Sequence, residues 1–271
     1  MELILNLSQL EVFMDVLQAL HSHRSIRQYH SDPIPQEVLD EILQAGIRAS
    51  SSGNMQSYSI IVTKDQALRE KLFKPHMEQS MVVDAPVLLT FCADFRRMRK
   101  WLELSDAPMN FDNFMSFMIA AIDATLVSQN VALAAEAKGL GLCYMGSTLA
   151  NCDQVGEILN LPEGVVPVVG YSLGYPSENP EIRDRLPIEG LVHQETYQDH
   201  SDEQIKAIYA DREEAGWNRY MAYPELRKMI EESDVENLAQ IYTKLKYTQS
   251  SHQDFSQSVL EYLNKQGFMN Q

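Results

Sequence analysis

In the stretch HRSIRQYHSDPI, residues 23–34, Arg24 and Arg27 stand three positions apart with Ser25 between them. Two guanidinium groups this close repel each other unless something negative answers them. Two readings satisfy them: a solvated pairing with Asp32 or Glu37, or a bound anion held between them. Arg183 and Arg185, in SENPEIRDRLP, form a second basic cluster. Four arginines converging on one dianion would supply charge-assisted, partly bidentate contacts of about 1.5–3 kcal/mol each. A phosphomonoester suits such a site. Ser25, and the run Ser50, Ser51 and Ser52 before Gly53, could add neutral donors.

These clusters stand out because the chain is acidic. Its 271 residues carry a formal charge of −16. A general polyanion binder would work against that field, which argues against nucleic acid and against an anionic membrane surface as partners. With 45% apolar residues the chain can fill a sizeable core. Cys92, Cys143 and Cys152 form no CxxC pair and have no histidine at metal-ligand spacing, which reads as a reduced, cytoplasmic protein without structural zinc. The first twenty residues contain no Lys or Arg, so they lack the positive start of a signal peptide. Leu10, Phe13, Met14 and Leu17 recur there at helical spacing, which predicts an amphipathic helix and not a membrane span.

The elements that must position these residues follow along the chain. PQEVLDEILQAGIRAS opens with Pro35 and sets Val38, Leu39, Ile42, Leu43 and Ile47 on one side of a helix. SSSGNMQS, 50–57, is a polar turn leading into the strand-like YSIIVTK, and a short helix near 65–76 follows. APVLLTFCAD is a continuous apolar run, as in a strand buried on both faces. Residues 114–141 form a long Ala-rich helix, apolar nearly all round and ending at Gly139; it belongs in the middle of a core or of a subunit interface. Asp123, Ser128, Gln129 and Asn130 interrupt it, which counts against a membrane span. LCYMGST and VVPVVGYSLGYP read as strands, CDQVGEILNL as a helix, and the residues from about 200 as polar and helical. The alternation predicts a mixed α/β layered fold with a C-terminal helical extension.

Motifs for conventional chemistry are missing. There is no GxxxxGK[ST], GxSxG or HExxH, and GLGLCYMG has the wrong spacing for a dinucleotide loop and leads out of a helix. Cys143 reads as a small buried hydrophobe and not as a nucleophile. The chain offers anion-binding parts and amide donors but no evident acid, base or nucleophile, a pattern that a bound organic cofactor would explain.

Taken in order, HRSIRQY, the helix begun by Pro35, ASSSGNMQSYS, FCADF, GLGLCYMG, GYSLGYPSENPEIRDRLP and LVHQETY resemble the flavin-dependent nitroreductases, in particular their NADPH-nitroreductase and flavin-reductase branch, over about residues 20–200. The resemblance implies an α+β, nitroreductase-like fold with a central, mainly antiparallel sheet flanked by helices. It also implies an intertwined homodimer with two FMN molecules at its interface, the long helix forming the dimer core. It assigns His23, Arg24, Ser25 and Arg27 to the FMN phosphate. Arg183 and Arg185 fall where the family usually has Lys and Arg. Ser51, Ser52 and Gly53 come beside the flavin and its ribityl chain, and Gln56 and Gln79 match its amide contacts. Tyr144, Met145, Gly146 and Ser147 fall under the isoalloxazine ring, with Ser147 where a second glycine is more usual.

The activity implied is ping-pong hydride transfer through flavin N5, from NADPH or NADH to a nitroaromatic, a quinone or free flavin. The alternatives are an FMN-binding carrier or sensor without turnover, and a specialised dehalogenating or flavin-fragmenting member of the same fold. The expected division is a core over 1–200 and a helical extension over 201–271, packed on the core or on the partner subunit. Arg212 and Arg219 occupy the region where NADPH-specific relatives read the 2′-phosphate. Asp211, Glu213 and Glu214 are expected to neutralise Arg212, which predicts only a modest preference for NADPH.

Overall fold

A computed structural model of the chain describes residues 15–270. The expected N-terminal helix falls largely outside the described residues, which exclude Leu10, Phe13 and Met14. The chain divides into two compact units, one holding the residues up to Glu181 together with those from Ser256 onward, the other Ile182–Phe255.

In chain order the first unit contains α1 (Val16–Ser22), α2 (Gln36–Gly46), β1 (Tyr58–Thr63), α3 (Gln66–Phe73), α4 (Met81–Asp84), β2 (Val87–Asp94), α5 (Arg96–Leu104), α6 (Phe114–Ala137), β3 (Gly141–Tyr144), α7 (Ser147–Ala150), α8 (Cys152–Ile158) and β4 (Val165–Gly174). The strands form one sheet in the order β1-β2-β4-β3, antiparallel at every step. This is an α+β fold with a central antiparallel sheet flanked by helices. Every residue of β2 is buried, as its unbroken apolar run predicts. The register between β2 and β4 shifts at Phe91/Cys92, opposite Val169 and Pro167. Proline has no N–H to give the ladder, so an irregularity there is where a strand tolerates it.

Asn113 caps α6 by accepting a hydrogen bond from the Ser116 N–H at 3.1 Å. Phe117, Ala120, Ala124, Val127, Val131 and Ala135 are buried at helical spacing. Burying a valine or phenylalanine side chain is favourable by roughly 1.5–3 kcal/mol, so this face alone anchors the helix. α2 packs closely on it: a Cβ on Gly46 would collide with the side chain of Val131. Among the described residues α6 alone is long and apolar enough to cross a membrane, but its packing on the sheet is that of a core helix. Met115, Met118, Ile122 and Leu126 form an exposed apolar stripe on the same helix.

Two local expectations need correction. Ile47 lies beyond the end of α2 and is 49% exposed, because the helix closes at Gly46. In LCYMGST the strand stops at Tyr144, and the Thr148 N–H turns back onto the Met145 carbonyl at 3.1 Å to begin α7.

The second unit contains α9 (Asp202–Ala222), α10 (Pro224–Glu231) and α11 (Leu238–Gln240), and α12 (Gln249–Lys265) completes the order of helices. Ser201 and Gln204 form a full capping box at the start of α9, and Pro224 opens α10. The core of this unit is Tyr220, Ile230, Val235, Leu238 and Ile241.

Candidate cofactor-binding site

Residues 23–30 are extended and stitched to the β3 edge of the sheet. The Ile26 N–H donates to the Leu142 carbonyl at 2.9 Å, Ser25 bridges Leu142 in parallel, and the His30 N–H donates to the Tyr175 carbonyl at 2.9 Å. Ile26 is buried and lies against Gly141, where a Cβ would come within 2.6 Å of its side chain. Alternation along an extended strip then puts Arg27 outside. Its N–H and that of Gln28 donate to Glu178 Oε1, at 2.5 and 3.0 Å. The exposed Arg27 guanidinium has no hydrogen-bond acceptor or ion-pair partner among the described residues. Arg24 is tethered: its Nη1 donates to the Pro180 carbonyl at 3.1 Å and to Asn179 Oδ1, and its Nε to the Ser22 carbonyl at 3.2 Å. Neither arginine meets Asp32 or Glu37. His23 Nδ1 lies 2.6 Å from Glu136 Oε1 near the end of α6.

The segment from Tyr144 to Ser147 adjoins this strip. Cys143 is buried and burial pushes its thiol up, so it stays neutral. Tyr144 Oη is 3.2 Å from Ser128 Oγ on α6, and its ring meets that of Tyr171 edge-on at 4.9 Å. A Cβ on Gly146 would meet nothing within 4 Å, so the space over this backbone is open. Ser147 points inward, its Oγ 2.9 Å from His76 Nδ1, both residues being buried. Burial pushes His76 down to about 4, so it is neutral near pH 7. The Gln79 amide donates to the His76 carbonyl at 2.8 Å, which brings Gln79 to the same corner.

Ser51, Ser52, Gly53 and Gln56 lie elsewhere, in the turn that enters β1 at the opposite edge of the sheet. Three strand spacings separate the two edges, about 14 Å. This turn is organised by Asp123, which is fully buried on α6. The Ser51 and Ser57 hydroxyls donate to Asp123 Oδ2 at 2.8 and 3.0 Å, and the Ser52 N–H donates to Oδ1 at 3.0 Å. Asp123 and Glu136 are thirteen residues apart on one helix, about 20 Å. Within one chain, therefore, the arginine strip and the serine turn sit at different stations of α6.

Arg183 and Arg185 belong to the second unit and are exposed; Arg185 Nη1 donates to the carbonyls of Arg183 and Asp184, at 3.2 and 3.0 Å. Arg212 and Arg219 also differ from expectation. Both pair with Asp184, at 2.9 and 3.0 Å, and Arg212 also donates to Tyr242 Oη at 2.9 Å. Asp211, Glu213 and Glu214 do not neutralise Arg212, because side chains one or two positions apart on a helix point in different directions. Glu213 instead accepts from the Leu238 N–H.

Asp123, Ser128, Glu136 and His76 were not among the expected site residues. Three of them are visible in the sequence as polar interruptions of an apolar helix, a pattern that marks buried polar groups with partners to find. His76 had no such marker.

The antiparallel α+β scaffold thus carries an exposed basic strip and an open glycine face at one edge of its sheet and a serine turn at the other. Residues 20–175 match the model of the nitroreductase family. The chain is 34% identical over 239 residues to an FMN reductase [NAD(P)H] of Bacillus subtilis, covering 80% of this chain and 96% of that one. It is 36% identical over 196 residues to an oxygen-insensitive NADPH nitroreductase of Salmonella typhimurium, covering 72% and 80%. Among solved structures it is similar to nitroreductase A of Vibrio parahaemolyticus (TM-score 0.78, 34% identity, covering 95% and 100%) and to the NADPH:FMN oxidoreductase of Vibrio harveyi complexed with NAD+ (TM-score 0.77, 30% identity, 94% and 99%). The chain belongs to the nitroreductase family.

Proposed function

We propose that the chain is an FMN-dependent NAD(P)H oxidoreductase, with nitroaromatics, quinones or free flavin as oxidants. The observation that carries this reading, beside the family, is the Arg27 guanidinium. It is exposed and unanswered in a strongly acidic chain, on the same sheet edge as the open backbone over Gly146. These residues fit FMN: a cation for the phosphate, an unobstructed backbone for a flat ring, and neutral donors for its polar edge. When bound, FMN supplies the hydride-carrying chemistry between NAD(P)H and the oxidant.

The chain's own residues bind and orient. Arg27 and Arg24 hold the phosphate. His23 keeps the strip on α6 through Glu136. Tyr144 to Ser147 form the floor, fixed from below by Ser128 and His76. Ser51 holds the turn to Asp123, so that the Ser52 hydroxyl, the Gly53 N–H and the Gln56 side-chain amide are the donors presented, and Gln79 joins them from the 76–79 corner. No side chain here has to act as an acid or base: His76 is neutral and buried, and Asp123 and Glu136 are already hydrogen-bonded.

We infer further that the working unit is a homodimer with each site shared. One chain carries the arginine strip and the serine turn on opposite sheet edges, and α6 exposes the stripe Met115, Met118, Ile122 and Leu126. A two-fold axis at right angles to α6, passing between the stations of Asp123 and Glu136, would set two such helices antiparallel and bring the serine turn of one protomer towards the arginine strip of the other, with the stripe at the interface. The three buried cysteines, free of disulfides, suit a reducing cytoplasmic setting.

Anaerobic reduction of the FMN-loaded protein with NADH and NADPH in parallel, followed by a panel of oxidants, tests the reading. Bleaching by either donor and recovery with an oxidant are expected. Yellow protein that does not bleach would make it a flavin carrier or sensor. Protein that takes up no FMN would overturn the reading altogether.

A further inference from the structure

We propose that Asp123 is a positioning residue that sets the flavin-facing turn, acting through Ser51, Ser52 and Ser57. The inference rests on the reading of 51–56 as a flavin contact. Three observations carry it. First, Asp123 has no solvent exposure and lies on a helix whose other buried residues are apolar apart from Ser116 and Ser128. A carboxylate in such a place is tolerated only where several donors answer it.

Second, the donors come from both ends of a single loop: the Ser51 hydroxyl and Ser52 N–H at its start, the Ser57 hydroxyl at its end. Ser51 Oγ also accepts from the Gln56 N–H at 2.8 Å, so the carboxylate reaches four loop residues directly or at one remove. Third, the loop between these ends has an unfavourable backbone. Gly53, Asn54 and Gln56 all have positive φ, at 56°, 56° and 52°. For residues with a Cβ that region is costly and persists only where the surroundings enforce it.

Among the described residues the Asp123 carboxylate is the one side chain that bonds both closing points of this strained loop, with Arg97 Nη2 bonding the Gln56 carbonyl at 2.7 Å from outside. The exposed residues Gly53 and Gln56 are therefore presented by a buried charge they never touch. A ligand that uses them meets a loop ordered in advance, and loses less conformational entropy on binding.

The test uses the full chain and FMN itself. Asp123→Ala removes every acceptor at once, whereas Asp123→Asn keeps an oxygen for the Ser52 N–H and an amide that the two hydroxyls can accept from. Hydrogen exchange of the apoprotein at 51–57, FMN affinity by fluorescence titration and visible circular dichroism of the bound flavin are measured on each. We expect Asp123→Ala to exchange faster at 51–57, to bind FMN at least about tenfold more weakly and to alter the flavin dichroism, with Asp123→Asn recovering part of each. If Asp123→Ala folds and matches the unmutated protein in loop exchange and FMN affinity, the proposal is overturned. If it does not fold, Ser57→Ala decides: Ser57 is buried, contacts Asp123 and is not among the proposed flavin contacts. Weaker FMN binding with faster exchange at 52–56 supports the proposal, and unchanged values for both overturn it. Unmutated protein that binds no FMN would sink the proposed function, while the exchange arm would still decide whether Asp123 orders the loop.

Discussion

The arginine strip and the serine turn are assigned to the same cofactor yet are held by opposite means. Residues 23–30 are ordered by main-chain bonds to β3 and to the end of β4, and the guanidinium of Arg27 is left unpaired in solvent. Residues 51–57 are ordered by side chains, above all a buried carboxylate, and what faces out is backbone and amide. The difference follows from what each has to offer. A guanidinium acts over several ångströms and tolerates a loose side chain. A hydroxyl or amide donor has to be within about 3 Å and correctly aimed, so its loop needs to be fixed beforehand.

The largest expected effect comes from separating the two regions. Ile122→Glu places a charge in the exposed stripe of α6 without entering the core, unlike a change at Ala124, which is fully buried. Loss of both dimer and flavin is expected; light scattering that shows a monomer still holding FMN would break the shared-site reading. A sharper version mixes subunits. If each site takes its arginines from one chain and its serine turn from the other, a heterodimer of Arg27→Ala with Ser52→Ala has one doubly damaged site and one intact site. Unfolding and refolding the two variants together should restore tight FMN binding to about a quarter of all sites, half of the dimers being mixed. No recovery would place both regions in the site of one chain.

Acid should act on the arginine side through His76. His76 lies beneath Ser147 and is held near 4 by burial, against roughly 6.5 in the unfolded chain. Its contribution is complete above pH 6.5 and declines as pH falls to about 4, because the unfolded state takes up the proton first. Over that window the loss reaches roughly 3 kcal/mol. Urea unfolding of His76→Gln should show a flatter dependence between pH 4 and 6.5 than the unmutated chain; parallel curves would show that His76 is not the group responsible. Smaller again is the effect of removing the free cation. Arg27→Ala should weaken FMN by about 1.5–3 kcal/mol, ten- to a hundredfold, and leave riboflavin binding nearly unchanged. Equal losses for the two ligands would mean that Arg27 does not face the phosphate.

Much of this was legible in the sequence. The continuous apolar run of APVLLTFCAD marked β2 as a strand buried on both faces, and the nearly all-round apolar helix from 114 marked an element of a core or an interface, because burial leaves little room for polar residues; the order of the strands was not legible. The basic strip was visible because Arg24 and Arg27 stand close together against an acidic background. Tertiary pairings were not visible. Asp123 read as a break in an apolar pattern, and only the fold shows that residues 51–57 close upon it. His76 met Ser147 across seventy-one residues, with nothing local to announce it. Charge counting near Arg212 failed for a related reason: its partner is Asp184, twenty-eight residues away, and its sequence neighbours point elsewhere.

That pairing bears on the smallest expected effect, the choice between NADPH and NADH. Arg27 is unanswered, whereas Arg212 and Arg219 share one carboxylate, and hydrogen bonding to Asp184 holds the Arg212 guanidinium more firmly in its charged form. To read a 2′-phosphate, Arg212 would have to exchange an established, partly buried partner for a new one, and the release of Asp184 beside the incoming dianion would oppose it. A net gain of well under 1 kcal/mol is the reasonable scale, which is a preference below about fivefold. Arg212→Ala should therefore change the ratio of kcat/KM for NADPH over NADH by less than about threefold, while lowering the stability of the second unit through the loss of its bonds to Asp184 and Tyr242. Steady-state kinetics with both donors, with thermal melts of the same samples, decide between the two roles. A large fall in the ratio with an unchanged melt would make Arg212 a phosphate reader despite Asp184. A large preference in the unmutated protein that survives the substitution would move the reading of the 2′-phosphate to other cations.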